Sequence, residues 1–81
     1  MNREAILQEI AEVAQRHLGW QGAVTPEMRL VEDLRLDSVR LLTLAAEVEN
    51  RFRVLLDEEE ELRLETVGDL LEVLAAKLGA G

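Results

Sequence analysis

The sequence predicts an all-α fold: a small antiparallel bundle of three main helices and one short helix, with a long loop between helices one and two. Three observations carry that expectation. Apolar residues recur at the 3.6-residue period of an amphipathic helix in three separate segments. Each segment opens on a residue suited to capping, namely Asn2, Asp37 and Thr66. Leu, Ala and Val dominate the 48% of the chain that is apolar, and the only aromatic residues are Trp20 and Phe52. With 81 residues, the chain is one domain, 1–81, too short for two independent cores. The absence of cysteine excludes disulfide staples, thiolate metal sites and cysteine nucleophiles, so stability must come from helix packing.

Helix one is expected from Arg3 to Leu18. Ile6, Leu7, Ile10, Val13, Ala14 and Leu18 form its apolar stripe, Asn2 can cap its start, and Gly19 stands where a left-handed residue would stop it. Residues 20–36 lack sustained periodicity and hold the only proline. Thr25-Pro26 is suited to opening a short turn, with Thr25 as cap and Pro26 at a first helical position. An irregular loop of this length needs anchors, and Trp20, Val24, Met28, Leu30 and Leu34 are the candidates. The tryptophan and the methionine read as loop-to-core packing rather than as a ligand site.

Helix two is expected from Ser38 to Phe52. Leu41, Leu44, Ala45, Val48 and Phe52 make its buried stripe; Arg40, Thr43, Glu47 and Asn50 or Arg51 make the polar face. Val39, Leu42 and Ala46 form a flank that is expected to stay partly exposed. In the short third helix Asp57 is the cap and Glu60 the capping-box partner, within a five-acid run that reads as a solvated helix start. The last helix follows Thr66, with Asp69 three residues on and an apolar stripe of Val67, Leu70, Leu71, Leu74 and Leu78. The tail Gly79-Ala80-Gly81 ends it.

Charge narrows the functional classes. The net charge is −8, from 17 acidic and 9 basic residues, which argues against nucleic acid or an anionic membrane as partner. It favours proteins with basic docking patches. The first ten residues, "MNREAILQEI", mix charges with apolar residues and are no signal peptide, and no apolar run reaches the roughly 20 residues of a membrane span. A cytoplasmic, monomeric and, beginning as it does at Met1, free-standing protein is the simplest expectation. His17 has no second histidine and no cysteine to join it, so neither a metal site nor a catalytic triad can be assembled. There is no Gly-rich phosphate loop, and the carboxylates show no pairing suited to acid–base catalysis. A non-catalytic protein follows.

The remaining candidate is Asp37-Ser38, in "LRLDSVRLL". Taken alone, the pair is an ordinary helix start: Asp37 is the N-cap, Ser38 sits at N1, and Leu36 with Leu41 occupy the positions of a hydrophobic staple. Capping alone and chemical use are both compatible with the dipeptide.

The surrounding blocks, "LVEDLRLDSVRLLTLAAEVENRF" and "LETVGDLLEVL", together with the helix order, resemble the acyl carrier protein family and its peptidyl and aryl relatives over nearly the whole chain. That resemblance implies that Ser38 carries a covalent 4'-phosphopantetheine arm, attached from coenzyme A by a phosphopantetheinyl transferase, and that Asp37 serves capping and transferase recognition. It also implies further partners: an acyl-activating or acyl-transferring enzyme and a downstream synthase. The exposed part of helix two then becomes the expected partner face, with Val39, Arg40, Leu42, Thr43, Ala46 and Glu47.

Two departures from the family pattern stand out. Many family members have a glycine two residues before the Asp-Ser pair, where this chain has Arg35, so a different path is expected for the loop entering helix two. In fatty-acid carriers helix two usually presents acids to basic partners; here the charges of Arg40, Glu47, Glu49 and Arg51 sum to zero. A dedicated carrier in a specialised fatty-acid, polyketide or nonribosomal-peptide pathway is the expectation. The competing expectation is an unmodified helical adaptor that binds a protein through the face around Arg40.

Overall fold

The computed structural model describes residues 2–79. Four helices follow one another: α1 (Arg3–His17), α2 (Ser38–Phe52), α3 (Glu58–Leu62) and α4 (Val67–Leu78). Among the described residues no strand is present, only an isolated antiparallel bridge between Arg29 and Thr66. No helix among them is long and apolar enough to cross a membrane.

The caps expected at the starts of the four helices are formed. Asn2 accepts from the Ala5 N–H, Asp57 and Glu60 close one capping box, and Thr66 and Asp69 close another. Leu18 is the C-cap of α1 rather than its last helical residue, and Gly19 follows with φ +70°. Gly79 ends α4 at φ +69°; Ala80 and Gly81 lie outside the described residues.

α1 packs against both α2 and α4. Glu9 and Glu12 meet Arg51 while His17 meets Glu47, so contacts run in opposite order along α1 and α2, and the two helices are antiparallel. The core is the predicted one: Ile6, Ile10 and Val13 from α1, Leu44 and Val48 from α2, and Val67, Leu70 and Leu74 from α4 are almost fully buried. No polar or charged residue among those described is buried, so the interior bears no cost from unpaired polar groups.

Two elements differ from expectation. Thr25-Pro26 opens the expected short turn, the Met28 N–H donating to the Thr25 carbonyl, but Thr25 caps no helix and Pro26 stands at the second turn position, where its fixed φ fits. Arg51 is not part of a solvent face. Its Nε and Nη2 donate to Glu9 and Glu12 at 2.8 and 2.6 Å, tying the end of α2 to the middle of α1.

The long loop is held by backbone pairing with the start of α4. The Leu30 N–H donates to the Glu65 carbonyl, Val67 to Met28 and Gly68 to Pro26, all at 2.9 Å. At Gly68 a Cβ would sit 3.0 Å from the Pro26 oxygen, so glycine permits this close approach. Trp20, Val24 and Met28 pack on the core and Leu30 and Leu34 are buried in it, as expected of anchors. The indole N–H of Trp20 is satisfied by the Ala23 carbonyl.

The path into α2 is where the loop was expected to diverge. Arg35 instead takes the left-handed conformation, φ +57°, that glycine adopts most readily. The chain therefore makes a glycine-type turn with an arginine. That turn lets the Leu36 N–H reach the Leu30 carbonyl and buries Leu36 just ahead of the Asp37 cap.

Candidate functional site

Asp37 has extended backbone and its Oδ1 accepts from the Arg40 N–H at 2.8 Å. Ser38 is thereby fixed as the first residue of α2, and it is exposed. Its hydroxyl makes no hydrogen bond to any described residue, so the capping work is done by Asp37 and the serine oxygen is left available. Leu36 is buried and Leu41 half-buried in the same core, as a hydrophobic staple requires.

Beside Ser38 lies a cavity of about 300 Å³, lined by Leu30, Leu41, Leu42, Leu44, Ala45, Glu61, Leu64 and Leu70. Its walls come from the loop, α2, the α3 region and α4, and apart from Ser38 and Glu61 they are apolar. A volume of this size is at the lower end for a small-molecule site. Neither the cavity nor the part of Glu61 in it follows from helical periodicity, because the lining residues converge only in the fold. The acidic run is correspondingly less uniform than a solvated helix start. Asp57, Glu58 and Glu59 are exposed, Glu60 pairs with Lys77 at 3.0 Å, and Glu61 faces the cavity. The Asp57 backbone N–H and then the Lys77 ammonium hold the Glu60 carboxyl below its ordinary pKa.

The expected partner residues separate into two groups. Val39 (70% exposed), Leu42 (64% exposed), Arg40 and Ala46 are all open to solvent on the first turns of α2. Thr43 is half-buried and its hydroxyl donates to the Val39 carbonyl. Glu47 is half-buried and lies 3.3 Å from His17 Nε2, facing α1. Among the described residues no cluster of His, Cys, Asp or Glu is arranged to hold a metal ion.

A helical bundle that presents an available serine hydroxyl at a capped helix start, next to an apolar cavity, has the layout of a phosphopantetheine-dependent carrier. Comparison with known proteins agrees. The family model described as "Phosphopantetheine attachment site" matches residues 4–74. The acyl carrier protein of Thermotoga maritima is 33% identical over 79 residues, covering 96% of this chain and 98% of that protein. The acyl carrier protein MbtL of Mycolicibacterium paratuberculosis is 50% identical over 54 residues, covering 67% of this chain and 61% of that protein. In structure, the chain resembles the Enterococcus faecalis acyl carrier protein with a TM-score of 0.75 at 27% identity, over 94% of this chain and 98% of that one. A candidate acyl carrier protein of Mycobacterium tuberculosis gives a TM-score of 0.84 at 29% identity, over 89% and 97%.

The chain belongs to the acyl carrier protein family. Members of this family are carriers rather than enzymes, hold a covalent phosphopantetheine group and work with transferases and synthases.

Proposed function

We propose that Ser38 is the attachment point of the phosphopantetheine arm and that residues 1–81 act as one carrier domain in a specialised cytoplasmic fatty-acid, polyketide or nonribosomal-peptide pathway. The observation that carries this reading is the exposed, unpartnered hydroxyl of Ser38 beside the cavity. A transferase would remove the hydroxyl proton and direct the oxygen at the pantetheine-bearing phosphorus of coenzyme A. A Ser38 Oγ–P bond then forms, the pyrophosphate P–O bond breaks, and adenosine 3',5'-bisphosphate leaves. When attached, the arm supplies a terminal thiol that bears acyl groups as thioesters, which is chemistry of the cofactor rather than of the fold.

The chain's own residues supply placement. Asp37 fixes the start of α2, the N–H groups of the first turn and the helix dipole favour the phosphate, and Leu42, Leu44, Ala45 and Leu70 offer apolar lining for a cargo. Val39, Arg40, Leu42, Thr43, Ala46 and Glu47 are the proposed partner-binding set, exposed at Val39, Arg40, Leu42 and Ala46. The balanced charge of α2, rather than an acidic face, supports a dedicated pathway over general fatty-acid synthesis.

The test is intact mass after incubation with coenzyme A and a broad-specificity phosphopantetheinyl transferase. The expected result is the gain of one phosphopantetheine by the parent chain and none by Ser38→Ala. No gain with several transferases would overturn the reading in favour of the unmodified adaptor.

A further inference from the structure

We propose, resting on the Ser38 reading above, that the face around Ser38 docks on a partner enzyme that sets carboxylates beside an apolar recess. Most charges of α2 are already used inside the fold. Glu47 lies against His17, Glu49 accepts from the Leu56 N–H at 2.8 Å, and Arg51 is held by Glu9 and Glu12. Among the charged side chains of α2, Arg40 alone has no partner among the described residues, and neither has Arg35 just before the helix.

Both arginines stand where local structure does not reward them. The first turns of α1, α3 and α4 each carry an acid that suits the positive helix end, whereas the first turn of α2 carries none. Arg40 occupies the N3 position of α2, which in α3 and α4 holds the capping-box acids Glu60 and Asp69. Arg35 sits on left-handed backbone. Neither guanidinium has a side-chain partner among the described residues, which leaves both available to a docking protein.

The apolar part of the face is Val39 and Leu42, exposed on the same first turns of α2 that carry Arg40. Apolar anchors bordered by charges are the usual make-up of a docking patch. Partner carboxylates facing Arg35 and Arg40 complement it, and a basic partner rim does not. Because the chain as a whole carries −8, a broadly acidic partner would be repelled at a distance. The complementary acids must then be a local patch, acting within about one Debye length, roughly 8–10 Å at moderate salt. Arg35 and Arg40 thus set register and partner choice rather than long-range steering.

The probe is a fatty-acid-synthase acyltransferase with a basic docking rim, used in its parent form and in a form with only the rim cations nearest the docked start of α2 changed to glutamate. Dissociation constants are measured by fluorescence anisotropy on the chain without the arm. Attachment at Ser38 is read separately by mass, so failure of one reading is distinguishable from failure of the other. The expected result is about tenfold tighter binding to the glutamate form than to the parent form, an inverted preference for R35E/R40E, and a difference that shrinks with added salt. R40E, a single exposed change, must shift the preference the same way if the double variant does not fold. Equal affinities for the two forms, or tighter binding of the unaltered chain to the basic form, would overturn the proposal.

Discussion

Replacing Arg35 by glycine is expected to stabilise the fold while removing a charged side chain. The backbone at Arg35 has φ +57°, where a residue with a Cβ is strained by about 1–2 kcal/mol. Glycine relieves that strain but brings more freedom to the unfolded chain, which takes back about 0.4–1 kcal/mol. The net gain is about 0.5–1 kcal/mol, or a rise in Tm of about 2–8 °C for a domain of this size. No ion pair is lost, because the Arg35 side chain has no partner among the described residues. The proper reference is Arg35→Ala, which removes the same charge but keeps the Cβ. Urea and thermal unfolding followed by circular dichroism at 222 nm give both stabilities. A glycine variant no more stable than the alanine variant would refute the strain argument.

Three further outcomes are expected. Asp37→Ala removes the acceptor for the Arg40 N–H and is expected to cost about 1 kcal/mol, read as a lower urea midpoint. The Asp69 carboxyl is held below its ordinary pKa chiefly by the Glu65 backbone N–H and further by that of Thr66. Its stabilising contribution is therefore complete above the unfolded carboxylate pKa and is lost as pH falls through the lower folded value. A stability gap between the parent and Asp69→Asn of about 1 kcal/mol at pH 7 should close below about pH 4, and a gap that stayed constant would contradict this. With a net charge of −8, self-repulsion should make Tm rise by a few degrees between low and moderate ionic strength, and equal melting temperatures would count against it.

What could be read from the sequence was local. Asn2, Asp37, Asp57 with Glu60, and Thr66 with Asp69 were legible as caps because a cap joins residues three apart in the chain. The core stripes were legible because 3.6-residue periodicity is itself a local signal. The pairing of Leu30 with Glu65 and of Met28 with Val67 has no such periodicity, since it joins segments more than thirty residues apart through backbone atoms. The same distance hid the Arg51 clamp on Glu9 and Glu12, and hid Glu61 as part of the cavity wall. Arg35 stands where a glycine is usual, and its residue type points to a different loop path, yet its backbone is left-handed because the packing of Leu36 ahead of the Asp37 cap requires that turn. Ser38 was found through its sequence context, and the structure adds its free hydroxyl and its neighbouring cavity.

The wall of the cavity on the α3 side is built differently from the rest of the bundle. α3 contributes no buried residue; its capping box and the Glu60–Lys77 pair hold it from the solvent side, between the buried Leu56 before it and the buried Val67 after it. Releasing α3 would expose little apolar surface, so that opening should require only a small part of the free energy of global unfolding. The molecule has two energy scales as a result. Its three long helices share the core and unfold together, while one short polar segment can come and go, and backbone amides of Glu59–Leu62 should exchange with solvent far sooner than those around Val48 and Leu70.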